Sequence, residues 1–184
     1  EYKIENEGSL DPEFLKACLT TDISNKTAFL QSIASRFDVR IGRGGQSKFA
    51  KLLRSERENA RLFEDTIPTL TELKRRGVRI GLVSNLWAFP VERIFNEMGL
   101  GQYFEHLIFS FEVGAHKPED AIFAHAAKQF GVAPASCVMI GDNPIADTAG
   151  ARAAGMDAIL LNRSGRQITL PAGTRQIQTL SELL

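Results

Sequence analysis

The sequence is short of the residues that announce most specialised classes of protein. Only two of its 184 residues are cysteine, Cys18 and Cys137, and they lie far apart. Two distant cysteines, one of them inside an expected buried strand, argue against a disulfide framework and point to free thiols in a cytoplasmic protein. Charge of one sign is missing as well: 22 basic residues face 22 acidic ones. A balanced chain has no general attraction for nucleic acid or for an anionic membrane surface. No apolar run approaches the roughly 20 residues that a membrane span needs, and no secretory signal opens the chain. Internal repeats and long serine-, proline- or charge-rich linkers are absent too. So is an initiator methionine, since the first residue is Glu1; the reading is a piece of a longer chain. What is present suffices for one medium domain, or a domain with a small insert, and for a real hydrophobic core.

The pattern of the chain changes near residue 65. Before it, apolar residues recur at helical spacing: Phe14, Leu15, Cys18 and Leu19, then Phe29, Leu30, Ile33, Ala34 and Phe37. Asp11-Pro12 and Ser24 or Asn25 supply helix starts. Arg43-Gly44-Gly45 breaks the pattern, and residues 48–63 resume it as a charged amphipathic helix. Residues 1–64 therefore form an α-helical segment.

From residue 65 to 184 strands and helices alternate. A helix from Pro68 stops at Gly77, whose missing side chain suits a left-handed cap. Strands are expected at residues 78–83, 106–109, 137–140 and 158–161, with a short fifth element near Gln176 and Ile177. Between them lie helices opening at Pro90, at Pro118 and near Ile145, the first two closed by Gly99 and Gly131. Alternation of this kind gives a parallel sheet with right-handed crossovers, an α/β fold.

Open α/β sheets bind their ligands at the carboxyl ends of the strands. The first strand ends in Ser84-Asn85, the second leads to Lys117-Pro118, and the third runs into Gly141-Asp142-Asn143-Pro144-Ile145-Ala146-Asp147. Each has an ordinary explanation. Ser84 and Asn85 serve equally well to cap a turn, Lys117 as a solvated loop lysine, and the two aspartates as a helix cap and a surface charge. Their joint occurrence at one edge suits a phosphoryl group: a hydroxyl and backbone N–H groups for its oxygens, an ammonium for its charge, and carboxylates for a hard cation such as Mg²⁺.

Leu82-Val83-Ser84-Asn85, Lys117-Pro118 and Ile140 to Asp147 resemble the second, third and fourth motifs of the haloacid dehalogenase-like hydrolase superfamily. The run Thr148 to Met156 is typical of it too, and the similarity covers roughly residues 65–163. The resemblance implies a Rossmann-like sheet with a helical cap inserted after the first strand, and residues 1–64 match that cap by position and helical content. It implies that Ser84 and Asn85 lie at the phosphate, and that Lys117 steadies nucleophile and phosphate. Asp142 becomes a Mg²⁺ ligand, and Asp147 supports the metal directly or through water.

The same resemblance exposes a gap. The family's nucleophile is the first aspartate of an Asp-x-Asp-x-Thr pattern on the central first strand, and no aspartate here forms that pattern. Thr21-Asp22-Ile23-Ser24 imitates it without a buried strand before it. In the family that strand lies between those ending at Ser84 and Asp142, so the core of this chain is expected to lack its central strand, leaving two ladders unpaired. Two explanations compete: a chain missing its first ~15–25 residues, as strand and loop lengths suggest, or a natural binding or structural module without a nucleophile. Truncation is the preferred reading, and the chain by itself is then inactive.

The implied function of the parent protein is a Mg²⁺-dependent phosphatase acting on a small phosphorylated metabolite through an aspartyl-phosphate. A haloacid dehalogenase is the lesser alternative, because Gly141-Asp142 keeps the metal carboxylate that those enzymes typically replace. Trp87, Phe89 and Arg43 are candidate substrate contacts, although packing or solvation explains each more simply. His116 is a weaker candidate for acid–base work. Substrate identity and oligomeric state are not readable from the sequence.

Overall fold

The computed structural model describes Lys16, Leu30, Gln31, Ala34, Ser35, Gly42, residues 61–86, Phe95 and residues 97–184. The expected helices at 14–19 and 29–37 are represented by Lys16, Leu30, Gln31, Ala34 and Ser35, all helical, with Leu30 buried. Most of the amino-terminal segment, including Cys18, Asp22 and Arg43, lies outside the described residues, as do Trp87 and Phe89.

In the carboxyl-terminal part the described elements include α1 (Thr66–Arg75), β1 (Gly81–Ser84), β2 (His106–Phe109), α2 (Ser110–Val113), α3 (Asp120–Phe130), β3 (Val138–Gly141), a π-helical turn (Pro144–Ala149), α4 (Gly150–Ala153), β4 (Asp157–Leu161) and β5 (Arg175–Ile177). Helix α1 ends as its sequence requires. Gly77 takes φ 75°, and the N–H groups of Arg76, Gly77 and Val78 return to the carbonyls of Glu72, Lys74 and Leu73. Gly131 closes α3 in the same left-handed conformation. Strand β1 begins three residues later than the apolar run suggests, with Val78 exposed. Its ladder extends only as far as its partner, Gly81 facing His106 and Ser84 facing Phe109.

All pairings are parallel, but they fall into two sheets. One is β1–β2 and the other β3–β4–β5. Among the described residues no strand pairs with the free edge of β1 or of β3. Burial follows the split. The interior positions Ala158, Ile159 and Leu160 of β4 are buried, whereas β1 is half-buried throughout and Val138 of β3 is exposed. Parallel strands are normally covered on both faces, and among the described residues β1 and β3 fall short of that.

Helix α3 holds the two sheets in one body. Ile122, Phe123, Ala126 and Ala127 form its buried face, in one core with Ile108 of β2, Ala151 of α4 and Ala158 of β4. The carboxyl terminus closes on α1: Asp65 accepts two hydrogen bonds from the guanidinium of Arg163, at 2.9 Å each, and one from the N–H of Leu180 at 2.7 Å. The Arg163 guanidinium also lies 4.0 Å from the centre of the Phe63 ring. Hydrogen bonding from Arg163 holds the Asp65 carboxyl below its usual range. No described helix is long and apolar enough to cross a membrane.

Candidate active site

The carboxyl end of β3 is built around a close approach. A side chain on Gly141 would overlap the carboxylate of Asp147, so only glycine lets the strand end lie against it. Asp147 reaches that place because the turn after β3 is wider than the α-helix expected from Ile145. The N–H of Thr148 reaches the carbonyl of Asn143, five residues back, at 3.2 Å. The Asn143 side chain caps the turn by accepting from the N–H groups of Ile145 and Ala146, at 2.9 and 2.8 Å. Single π-turns of this kind rotate the following side chains relative to an α-helix. Here the turn leaves Asp147 buried, with 4 % of its surface exposed.

Both oxygens of Asp147 are engaged. Oδ1 accepts from the Lys117 ammonium at 2.6 Å, and Oδ2 from the N–H of Asn143 at 2.9 Å. Lys117 comes from the turn between α2 and α3, in a cis peptide with Pro118. Pro118 packs against Gly150, where a Cβ would stand 2.7 Å from the proline Cβ. The glycine in the small-residue run of α4 is thus what admits the lysine turn.

Ser84 ends β1 half-buried, paired in the ladder with Phe109. Asn85 follows, but its carboxamide is turned to Lys117. Asn85 Oδ1 accepts from the Lys117 N–H and Asn85 Nδ2 donates to the Lys117 carbonyl, both at 2.8 Å. Asp142, the residue after β3, is exposed. His116 is directed elsewhere: its Nδ1 and its backbone N–H both lie 3.0 Å from Oε2 of Glu119, whose other oxygen accepts from Lys16. Burial alone would raise the Glu119 carboxyl, but hydrogen bonds from Lys16 and His116 outweigh it and hold the group at about 2.

The expected residues Asn85, Lys117 and Asp147 therefore form one hydrogen-bonded chain, with Ser84 adjacent in sequence to Asn85 and Asp142 just after β3. Three contributors were missed. Asn143 caps the turn, Gly150 accommodates Pro118, and Ser110, fully buried, both accepts from the N–H of Leu86 and donates to its carbonyl at 3.2 Å. A lone serine after the apolar run of residues 107–109 was the available signal for the last.

The donor chemistry suits a hard cation. Mg²⁺ is usually held by one or two carboxylates and completed by water and substrate phosphate oxygens. Asp142 offers a solvent-facing carboxylate, and Asp147 keeps a lone pair on each oxygen. No cluster of three or more His, Cys, Asp or Glu residues able to hold a metal occurs among the described residues.

A family model, described as haloacid dehalogenase-like hydrolase, matches residues 16–155. This chain belongs to the haloacid dehalogenase-like hydrolases. Within that family it is 37 % identical over 102 residues to a glyceraldehyde 3-phosphate phosphatase of Methanothermobacter thermautotrophicus, covering 55 % of this chain and 45 % of that one. It is 36 % identical over 111 residues to a phosphoserine phosphatase of Thermus thermophilus, covering 60 % and 45 %. The chain spans about half the length of the curated relatives it matches. Among solved structures, a HAD phosphatase from Thermococcus onnurineus superposes with a TM-score of 0.65 at 30 % identity, over 83 % of this chain and 67 % of the other. A 2-haloacid dehalogenase from Pseudomonas syringae superposes at 0.67, but at 24 % identity it speaks for the fold alone.

Proposed function

We propose that this haloacid dehalogenase-like chain provides the phosphate- and metal-binding half of a Mg²⁺-dependent, cytoplasmic phosphatase acting on a small phosphomonoester. The observation that carries the reading is the Lys117–Asp147 pair, which Asn85, the residue after Ser84 at the end of β1, links to the turn that follows Asp142 at the end of β3. Phosphatase names among the relatives support it. Residues 1–64 act as the cap over that edge, and residues 65–184 as the core.

In this reading the nucleophilic aspartate stands on a strand that occupies the position between β1 and β3, which the open flanks of those strands would accept. Its carboxylate attacks phosphorus, and a second carboxylate two residues on protonates the departing oxygen. Water then hydrolyses the aspartyl-phosphate. Ser84 donates to a phosphoryl oxygen, and the Lys117 ammonium lies against the developing charge. Asp142 would ligate Mg²⁺, with Asp147 behind it. When bound, the ion neutralises phosphoryl charge as a Lewis acid.

The test is phosphate release from a panel of phosphomonoesters by the protein as its gene encodes it, including any coding sequence ahead of Glu1. Turnover in Mg²⁺ is expected to vanish in excess chelator and to fall by about a hundredfold or more in Asp142→Asn. Release that persists undiminished in chelator overturns the metal-dependent reading. Saturable phosphate-ester binding without turnover would instead favour a binding module without a nucleophile.

A further inference from the structure

The residue after Ser84 has an obvious assignment as a substrate contact, but its surroundings point elsewhere. Lys117 sits before a proline, in a turn between two helices, where its own N–H and carbonyl have no ladder to join. Buried or half-buried backbone groups need partners, and the Asn85 carboxamide supplies both. It accepts from the N–H and donates to the carbonyl at 2.8 Å each, across 32 residues of sequence. A paired contact of this kind fixes distance and rotation together, as a rung of sheet does.

Asn85 is itself firmly held. Ser84 on one side is in the β1 ladder, and Leu86 on the other has both backbone groups bound to the fully buried Ser110 hydroxyl. From Asn85 the chain of bonds runs through Lys117 to Asp147 and on to the N–H of Asn143. It starts at the end of β1 and finishes beyond β3, so it joins the carboxyl ends of two sheets that share no backbone pairing.

We propose that Asn85 is a positioning residue: it fixes the Lys117 backbone so that the ammonium meets Asp147 at the strand ends. It does not bind substrate directly. The amide has one N–H and one lone pair left over, but the geometry commits its orientation to Lys117. The inference rests on the reading of Lys117 as the cation that faces phosphate, and it deepens that reading.

A double-mutant cycle on the protein as its gene encodes it tests this, with p-nitrophenyl phosphate and Mg²⁺. Asn85→Ala alone is expected to lower kcat/KM by at least about tenfold, because a displaced ammonium no longer meets the reacting group. In a Lys117→Ala background the same substitution should cost less than about twofold more, since residues acting through one another are not additive. Losses that multiply would overturn the inference in favour of direct substrate contact. If Lys117→Ala does not fold, Lys117→Arg takes its place in the cycle. A second readout needs no substrate. Exchange of the Lys117 amide proton should quicken at least about tenfold in Asn85→Ala and slow again in Asn85→Asp, which keeps the acceptor. An unchanged exchange rate would overturn the positioning role even in an active enzyme. Conversely, altered exchange in a protein that turns over no phosphoester would leave the positioning intact and count against the phosphatase reading alone.

Discussion

At the scale of single residues, the decisive contact is the buried pair of Lys117 and Asp147, with side chains 11 % and 5 % exposed. Removing one member of such a pair strands the other charge, which typically costs about 3–5 kcal/mol. Lys117→Ala is therefore expected to lower unfolding stability by that amount in urea titration. The double substitution Lys117→Met with Asp147→Asn should recover most of it, because the neutral amide can still accept from the Asn143 N–H. Equal losses in the single and double variants would show that the charge pair is not what the site depends on for stability. The sequence disclosed both residues, since ammonium and carboxylates at strand ends are unusual enough together to be noticed. It did not disclose what they touch. Asn85 reads as a substrate contact from its place after Ser84, and only the fold shows its amide facing a backbone 32 residues away.

At the scale of elements, the described helices and strands of residues 65–184 were largely legible, because glycine and proline punctuate them and their apolar runs are short and separate; the helix expected from Pro90 lies mostly outside the described residues. Boundaries moved where pairing overrode pattern: β1 starts at Gly81 rather than Val78, since its neighbour β2 begins at His106. The larger departure is the turn after β3. Its sequence suits an α-helix, yet Asn143 caps a wider turn, which seats Asp147 over Gly141. The next element shows how tightly that seat is built. Gly150 opens α4 against Pro118, with Phe123 also 3.0 Å from where its Cβ would lie. Gly150→Ala should therefore cost roughly 1–3 kcal/mol through overpacking, despite alanine's better helix propensity. Thermal unfolding checks the stability. A melting temperature at or above that of the wild type would mean the Pro118 turn yields easily.

At the scale of the whole molecule, two sheets are joined by the apolar face of α3 and by the polar chain at their carboxyl ends, with Lys16 of the amino-terminal segment tied to the core through Glu119. That last contact gives a pH signature. The Glu119 carboxyl is held at about 2 against an ordinary 4.5, burial opposing and the Lys16 and His116 hydrogen bonds prevailing. A depressed folded-state value stabilises above the unfolded one and loses that contribution as pH falls through the folded one. Its contribution should be complete above about pH 4.5 and gone near pH 2, weakened by salt because Glu119 is 31 % exposed. Melting temperatures of wild type and Glu119→Gln should differ at pH 7 and converge by about pH 2; a gap independent of pH would refute the link. By itself the sequence determined the class of the core, the order of its described elements and the residue types at the carboxyl ends of its strands, because these follow from local periodicity and from motifs a few residues long. A missing central strand between β1 and β3 was an expectation drawn from family resemblance; among the described residues no strand pairs with the free edge of either. Tertiary structure alone decided which groups are spent on one another: Asn85 on Lys117, Lys117 on Asp147, Glu119 on Lys16. Hydrogen bonds between residues 30 to 103 positions apart depend on how strands and helices pack, and no local pattern encodes that packing.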